Sequence, residues 1–268
     1  MPNKTTFPTV SPARAVYLKK QKQYRRAILC SQIGILVGFI LLWELSARLG
    51  WIDAFIFSQP TRILKTFLNM AENDIFRHIG VTVYETLAGF TLGAVCGTLL
   101  AVLLWWSPTA AKISEPYLVV LNSLPKIALG PVIIIIAGAG TGAIVVMALA
   151  ISLIVTTLEM LSGFLHTDND YIRMANAFGA TRRQLFFKIV FPSNITTLFN
   201  SLKINIGLSL VGVIAGEFLV SRAGLGYLIV YGGQVFKLDL VMSSVIILSV
   251  VAALLYEVVC LVQKWASR

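Results

Sequence analysis

Residues 166–194 read HTDNDYIRMANAFGATRRQLFFKIVFPSN. This polar stretch lies between two apolar runs, near Ile144–Leu165 and Ile195–Leu219, each long enough to cross a bilayer. It is too long for a turn, so it must carry structure of its own. Asp168, Asn169 and Asp170 offer N-cap oxygens for a short helix from about Tyr171 to Phe178. Gly179 ends that helix, because glycine accepts a left-handed backbone at low cost. Thr181 caps a second helix carrying Leu185, Phe186 and Ile189, and Pro192 lies where that segment should stop. Two short helices at an angle, outside the membrane, make a projecting knob. Its apolar tip and basic flanks suit a partner's groove.

Working outward, the chain offers four more crossings. They fall near Ile28–Ala47, Val81–Trp106, Pro116–Ala137 and Leu240–Val262, for six in all. The composition agrees. Of 268 residues, 57% are hydrophobic and 13% charged, with a mean hydropathy of +0.83. Soluble domains carry about 25% charged residues, so this chain cannot cover its apolar side chains in water. The expected fold class is an all-α membrane protein of about six transmembrane helices. Residues 1–27 form a basic N-terminal segment and 28–268 the transmembrane domain.

The net charge of +10 is a membrane-orientation signal rather than a nucleic-acid footprint. Seven basic residues precede the first apolar run, from Lys4 to Arg26. Adding Lys112, Arg173, Arg182, Arg183, Lys188, Lys264 and Arg268 places fourteen on the N-terminal side of the membrane. Arg48, Arg62, Lys65, Arg77, Arg222 and Lys237 leave six on the other. Both termini and the 166–194 loop are therefore expected in the cytoplasm. The first run does not read as a cleaved signal peptide, being span-length and without a clear small-residue cleavage site.

Between residues 48 and 80, Leu64, Phe67, Leu68 and Ala71 form an apolar stripe at helical spacing. It fits either a helix on the outer surface or one packed on neighbouring spans. Gly89, Gly93 and Gly97 repeat every four residues, a ridge for close helix approach. Gly138, Gly140 and Gly142 read as a tight external turn. Cys30, Cys96 and Cys260 lack ligand spacing, and His78 and His166 stand apart in expected loops, so no metal site is expected.

Several polar residues fall inside the spans. Asn122, Ser123, Pro125 and Lys126 interrupt the third, where proline frees carbonyls that can face a cavity. Lys126 either attracts an anion there or snorkels to headgroups. Glu217, near the outer end of the fifth, is either a pathway or gate carboxylate or one that reaches interfacial water or pairs with Arg222. Gly224 and Gly226 shape either an outer gate loop or a plain turn.

The 166–194 loop resembles the coupling loop of the permease subunits of bacterial binding-protein-dependent ABC importers. In that family the pattern is Glu-Ala-Ala, three residues, Gly, nine residues, then Ile-x-Leu-Pro. Gly179, Ile189 and Pro192 keep the spacing and Ala175 matches the second alanine, while Arg173, Met174 and Phe191 depart from it. Residues 43–64, 121–142 and 215–229 are similar to the nitrate/sulfonate/taurine branch, above all Gly224-Leu225-Gly226-Tyr227. The resemblance covers most of residues 35–262.

It implies the fold of a type I importer permease in a bacterial inner membrane. Arg173, Ala175, Phe178, Gly179, Ala180, Ile189 and Pro192 would contact a separate ATPase subunit, which holds ATP and magnesium. Asn122, Ser123, Pro125, Lys126 and Glu217 become candidates for the translocation path or gate. Further implied partners are an extracellular solute-binding protein, a second copy of the permease and membrane lipid. A small solute such as a sulfonate, nitrate or a vitamin or its precursor would be carried. Independently, no GxxxxGK[ST] phosphate loop occurs, so no ATP site is expected in this chain, nor any other cofactor. A stand-alone carrier would show more spans or an internal repeat. An intramembrane enzyme would need a nucleophile with a base, or a metal cluster, and none converges.

Overall fold

The computed structural model describes residues 12–53, 55–70 and 74–266. Among them every regular element is helical. In order these are α1 (Pro12–Arg48), α2 (Pro60–Met70), α3 (Ile75–Trp106), α4 (Pro108–Ser123), a 3-10 turn (Lys126–Leu129), α5 (Gly130–Ala137) and α6 (Thr141–Leu165). Then come α7 (Asn169–Ala177), α8 (Arg182–Leu185), a wide π turn (Phe186–Val190), α9 (Phe191–Ser193), α10 (Ile195–Val220), α11 (Leu225–Gln234) and α12 (Leu238–Ala266). Among the described residues five helices are long and apolar enough to span a membrane, and a bent pair, α4 with the turn and α5, makes six when counted as one span. The expected all-α fold is the observed one.

The chain divides into two units, Met1–Leu64 and Lys65–Arg268. In the first, α1 runs unbroken through residues 27 and 28. Near its end Glu44 accepts hydrogen bonds from Arg48 Nε (2.7 Å), Thr61 N (3.1 Å) and Thr61 Oγ1 (3.0 Å). That carboxylate ties the start of α2 to the end of α1. On α2 the expected stripe is not covered by the chain, since Leu64, Phe67 and Leu68 are 51–65% exposed while Ile63 is buried. Ala71 lies outside the described residues.

The second unit is built on α3, α6 and α10. Its glycine ridge lies against α6. A Cβ on Gly93 would come within 2.5 Å of Ser152 Cβ, and one on Gly97 within 2.7 Å of Thr156 Cβ. The absent side chains let the two backbones touch, and Thr157 Oγ1 donates across the gap to Gly97 O at 3.2 Å. The ridge is thus spent on packing within the chain. Further along, Asn205 Nδ2 of α10 donates to Thr156 Oγ1 (2.9 Å) and Ser201 Oγ (3.0 Å). These buried polar bonds pin α10 to α6 where apolar side chains alone would slide.

Three boundaries differ from the sequence expectations, each for a local reason. The third crossing is not one rod, because its two halves bend by 83° at Leu124–Pro125. Leu124 takes the extended conformation that a following proline imposes (φ −64°, ψ 139°). Pro116, expected to open this span, lies inside α4. Pro192, expected to end the knob, instead sits in the first turn of α9, where a missing N–H costs nothing. The chain turns at Asn194, whose Nδ2 donates to Val190 O and Thr167 Oγ1, both at 2.9 Å.

Candidate functional site

Two polar constructions lie at opposite ends of α6 and α10. The first is the knob between them. Asp168 Oδ1 accepts from Asp170 N at 2.9 Å and starts α7. At the other end Gly179 is left-handed (φ 72°), with Gly179 N donating to Asn176 O and Ala180 N to Ala175 O, both at 3.0 Å. This crossed pair satisfies the last carbonyls of α7 and reverses the chain. Thr181 and Gln184 then exchange bonds, Gln184 N to Thr181 Oγ1 (3.3 Å) and Thr181 N to Gln184 Oε1 (2.8 Å), opening α8.

The two halves of the knob have different roles. Phe186, 1% exposed, packs at a tilt against Trp105 (4.8 Å between centroids) and edge-on against Phe164 (5.4 Å). Arg182 donates to Trp105 O at 3.2 Å and lies 5.3 Å from its ring centroid. The segment after Gly179 is therefore anchored to α3 and α6, and Leu185 packs into the same core. On α7 the apolar face is bare. Tyr171 and Met174 are half-exposed and Phe178 is 84% exposed, at positions that share one side of the helix.

Of the residues singled out by the coupling pattern, Ala175 is buried, Ala180 and Ile189 are half-buried, and Arg173, Gly179 and Pro192 are exposed. Arg173 lies 3.8 Å from Asp170. Both side chains are solvent-exposed, so the pair contributes little to stability.

The second construction is at the start of α11. A helix leaves its first N–H groups without partners inside the helix. Here three successive N–H groups at the helix start are each taken by a side chain from another helix. Gly224 N donates to His78 Nδ1 (3.0 Å), Leu225 N to Thr82 Oγ1 (2.8 Å) and Gly226 N to Glu217 Oε2 (2.5 Å). Thr82 Oγ1 in turn donates to Glu217 Oε1 at 2.6 Å. Glu217 is 1% exposed and forms no ion pair with Arg222. The carboxylate therefore neither reaches water nor pairs with arginine but caps α11, where the helix dipole favours negative charge. His78, expected in a loop, belongs to α3 and accepts at Nδ1, so its proton is on Nε2.

The glycines of this turn make room for that carboxylate. Gly224 has φ 116°, and a Cβ on Gly226 would lie 2.8 Å from Glu217 Oε2. We expect Gly226→Ala to destabilise the protein by roughly 1–3 kcal/mol through this overpacking. Thermal unfolding of the purified variant in detergent measures it. An unchanged midpoint would mean the carboxylate has space to move.

Asn122, Ser123, Pro125 and Lys126 are not part of either construction. They sit at the bend between α4 and α5, where Lys126 Nζ donates to Asn122 O (2.8 Å) and Oδ1 (3.2 Å). Lysine at a helix C-terminus satisfies free carbonyls in this way. Ser123 Oγ donates back to Val119 O at 3.0 Å. None of these four makes a hydrogen bond with Glu217.

Sequence reading missed Glu85, Thr82 and Asn205. Glu85 had a signal, since an acid inside an apolar run at Val81–Trp106 calls for a function by default. Thr82 and Asn205 had none, because hydroxyl and amide side chains are common in membrane helices.

A family described as "Binding-protein-dependent transport system inner membrane component" matches residues 89–268. Among curated relatives, a formylaminopyrimidine transport permease protein of Halalkalibacterium halodurans is 28% identical, over 70% of this chain and 75% of its own length. A taurine transport system permease protein of Escherichia coli is 24% identical over 83% of each. Among solved structures, an inward-facing form of the MetNI methionine ABC transporter superposes with a TM-score of 0.64 at 18% identity, covering 72% of this chain and 96% of the other. A bacterial ABC transporter involved in alginate import gives 0.63 at 15% identity, covering 92% and 99%.

Proposed function

Because the chain belongs to the family of binding-protein-dependent transport system inner membrane components, we propose that it lines the solute path of an ABC importer and couples that path to a separate ATPase subunit. The observation that carries the coupling reading is the divided knob. Its α8 half is locked to α3 and α6 by Phe186 and Arg182, while its α7 half presents Tyr171, Met174 and Phe178 bare. A push on α7 is thereby transmitted to two spans through one left-handed residue, Gly179.

In this reading the partner binds ATP and magnesium. An extracellular solute-binding protein delivers the substrate, and a second copy of this chain completes the path on a two-fold axis. The basic-residue asymmetry supports a cytoplasmic knob and cytoplasmic termini in a bacterial inner membrane. The substrate is a small solute such as a sulfonate, nitrate or a vitamin or its precursor. Relatives named for the transport of a formylaminopyrimidine and of taurine support a small solute of this kind.

Gly179→Asp tests the coupling. No heavy atom lies within 4 Å of a Cβ built there, so the cost to folding is the left-handed strain alone, about 1 kcal/mol. The expected result in reconstituted vesicles is near-normal assembly and ATPase activity, with solute uptake per ATP falling at least several-fold. Wild-type uptake per ATP would leave Gly179 a structural turn without a part in coupling.

A further inference from the structure

Glu85 lies one turn along α3 from Thr82, with no exposed surface. Neither of its carboxyl oxygens has a hydrogen-bond partner. It faces the carboxyl group of Glu217. Two enclosed acids side by side at the end of a three-helix core are an unusual arrangement, and the capping of α11 uses only one of them.

The surroundings decide how the pair is charged. On one side of Glu85 is a cavity of about 650 Å³ that Arg77, Thr141, Ser221 and Arg222 also line. Neither arginine comes within ion-pair distance of either acid. From α3 the other titratable groups nearby are His78, which is committed to Gly224 N, and Tyr84, which is 65% exposed. From α11 they are Tyr227, stacked on His78 at 5.9 Å, and Tyr231, stacked on Tyr227. Helix α6 offers only Glu159, at its far end from Thr141. From α10 the group is Glu217 itself. No cation is therefore placed to neutralise a second negative charge.

Two adjacent buried carboxyls cannot both ionise, because the second charge is opposed by the first and by lost hydration. Which acid keeps the proton follows from donors. Glu217 accepts from Thr82 Oγ1 and Gly226 N, and both bonds favour its ionised form. Glu85 has one hydroxyl beside it, that of Thr141, and makes no hydrogen bond of good distance and angle with it. We propose that Glu85 and Glu217 form a proton-binding site, with Glu85 a carboxylic acid that donates its proton to the Glu217 carboxylate. The shared proton supplies the partner that the Glu85 oxygens lack and joins α3 to α10 behind the start of α11. Losing it would leave two facing charges and loosen the turn at 221–226.

The test uses the full chain purified into lipid nanodiscs. Infrared spectra of the wild type at neutral pH should show the carbonyl band of a buried protonated carboxylic acid. That band should vanish in Glu85→Gln, whose amide mimics the neutral acid and can donate to Glu217. In a second readout, cysteine replaces Ala223 in a background lacking Cys30, Cys96 and Cys260. Its labelling, corrected for thiolate fraction, should rise at least tenfold as pH is raised far enough to abolish the band. In Glu85→Gln the corrected rate should stay low and flat. Absence of the wild-type band, as expected if a metal cation bridged two carboxylates, would overturn the proposal. So would a band that Glu85→Gln leaves intact, or labelling that rises equally in both forms. Glu159, whose Oε2 is also buried without a hydrogen-bond partner, supplies the control. The band must survive Glu159→Gln, and its loss there would overturn the proposal even if Glu85→Gln does not fold.

Discussion

Phe178→Asp should abolish solute uptake while leaving the permease folded and inserted. The side chain is 84% exposed at the end of α7 and belongs to none of the buried clusters, so its replacement has little effect on folding. Against a partner, however, an aromatic side chain standing clear of its own chain is the kind of anchor that dominates an interface. Loss of one such anchor typically costs about 2–4 kcal/mol, or roughly 30-fold to 1,000-fold in affinity. A buried aspartate would add an unpaired charge. The measurement is copurification of the ATPase subunit with tagged permease, alongside uptake in cells. Normal copurification and uptake would show that the bare face of α7 is covered by something other than the ATPase.

The second large effect lies in the membrane core. Gly93→Leu should prevent recovery of a stable, monodisperse protein. A Cβ there would stand 2.5 Å from Ser152 Cβ and 3.2 Å from Leu153 N, so both a side chain and a backbone would have to retreat. Overpacking by a few methylenes already costs about 1–3 kcal/mol, and forcing α3 away from α6 adds the loss of their whole contact. Native margins are only about 5–15 kcal/mol. Gly207→Leu is the control, because no heavy atom lies within 4 Å of a Cβ at that exposed position of α10. Equal thermal midpoints for the two variants would contradict the close packing of α3 on α6.

The parts of this structure that composition and periodicity control were legible in advance. Long apolar runs must be helices in lipid, because no water is there to satisfy the backbone. Asp168, Gly179 and Thr181 announced the knob through capping chemistry that acts within four residues. What was not legible depends on contacts distant in sequence. Pro125 was seen to interrupt the third span, but a bend of 83° depends on how the following turn packs. Pro192 looked like a stop because proline usually is one, and only the π turn before it shows that a new helical turn begins there. In the sequence Glu217 stands as a lone acid in its span. Its role required Thr82 and Gly226 to be brought beside it, from 135 residues upstream and nine downstream. No local pattern carries that information.

In the proposed function this chain moves solute only when a separate ATPase drives it through the knob. The most direct measurement is uptake into vesicles reconstituted with the purified permease and ATPase subunit, with candidate solutes and their binding protein outside and ATP inside. Accumulation should require ATP, the ATPase subunit and an intact Phe178, and should stop when any one is removed. Solute accumulation by the purified chain alone, without ATP, would contradict the account and make the protein a self-sufficient carrier.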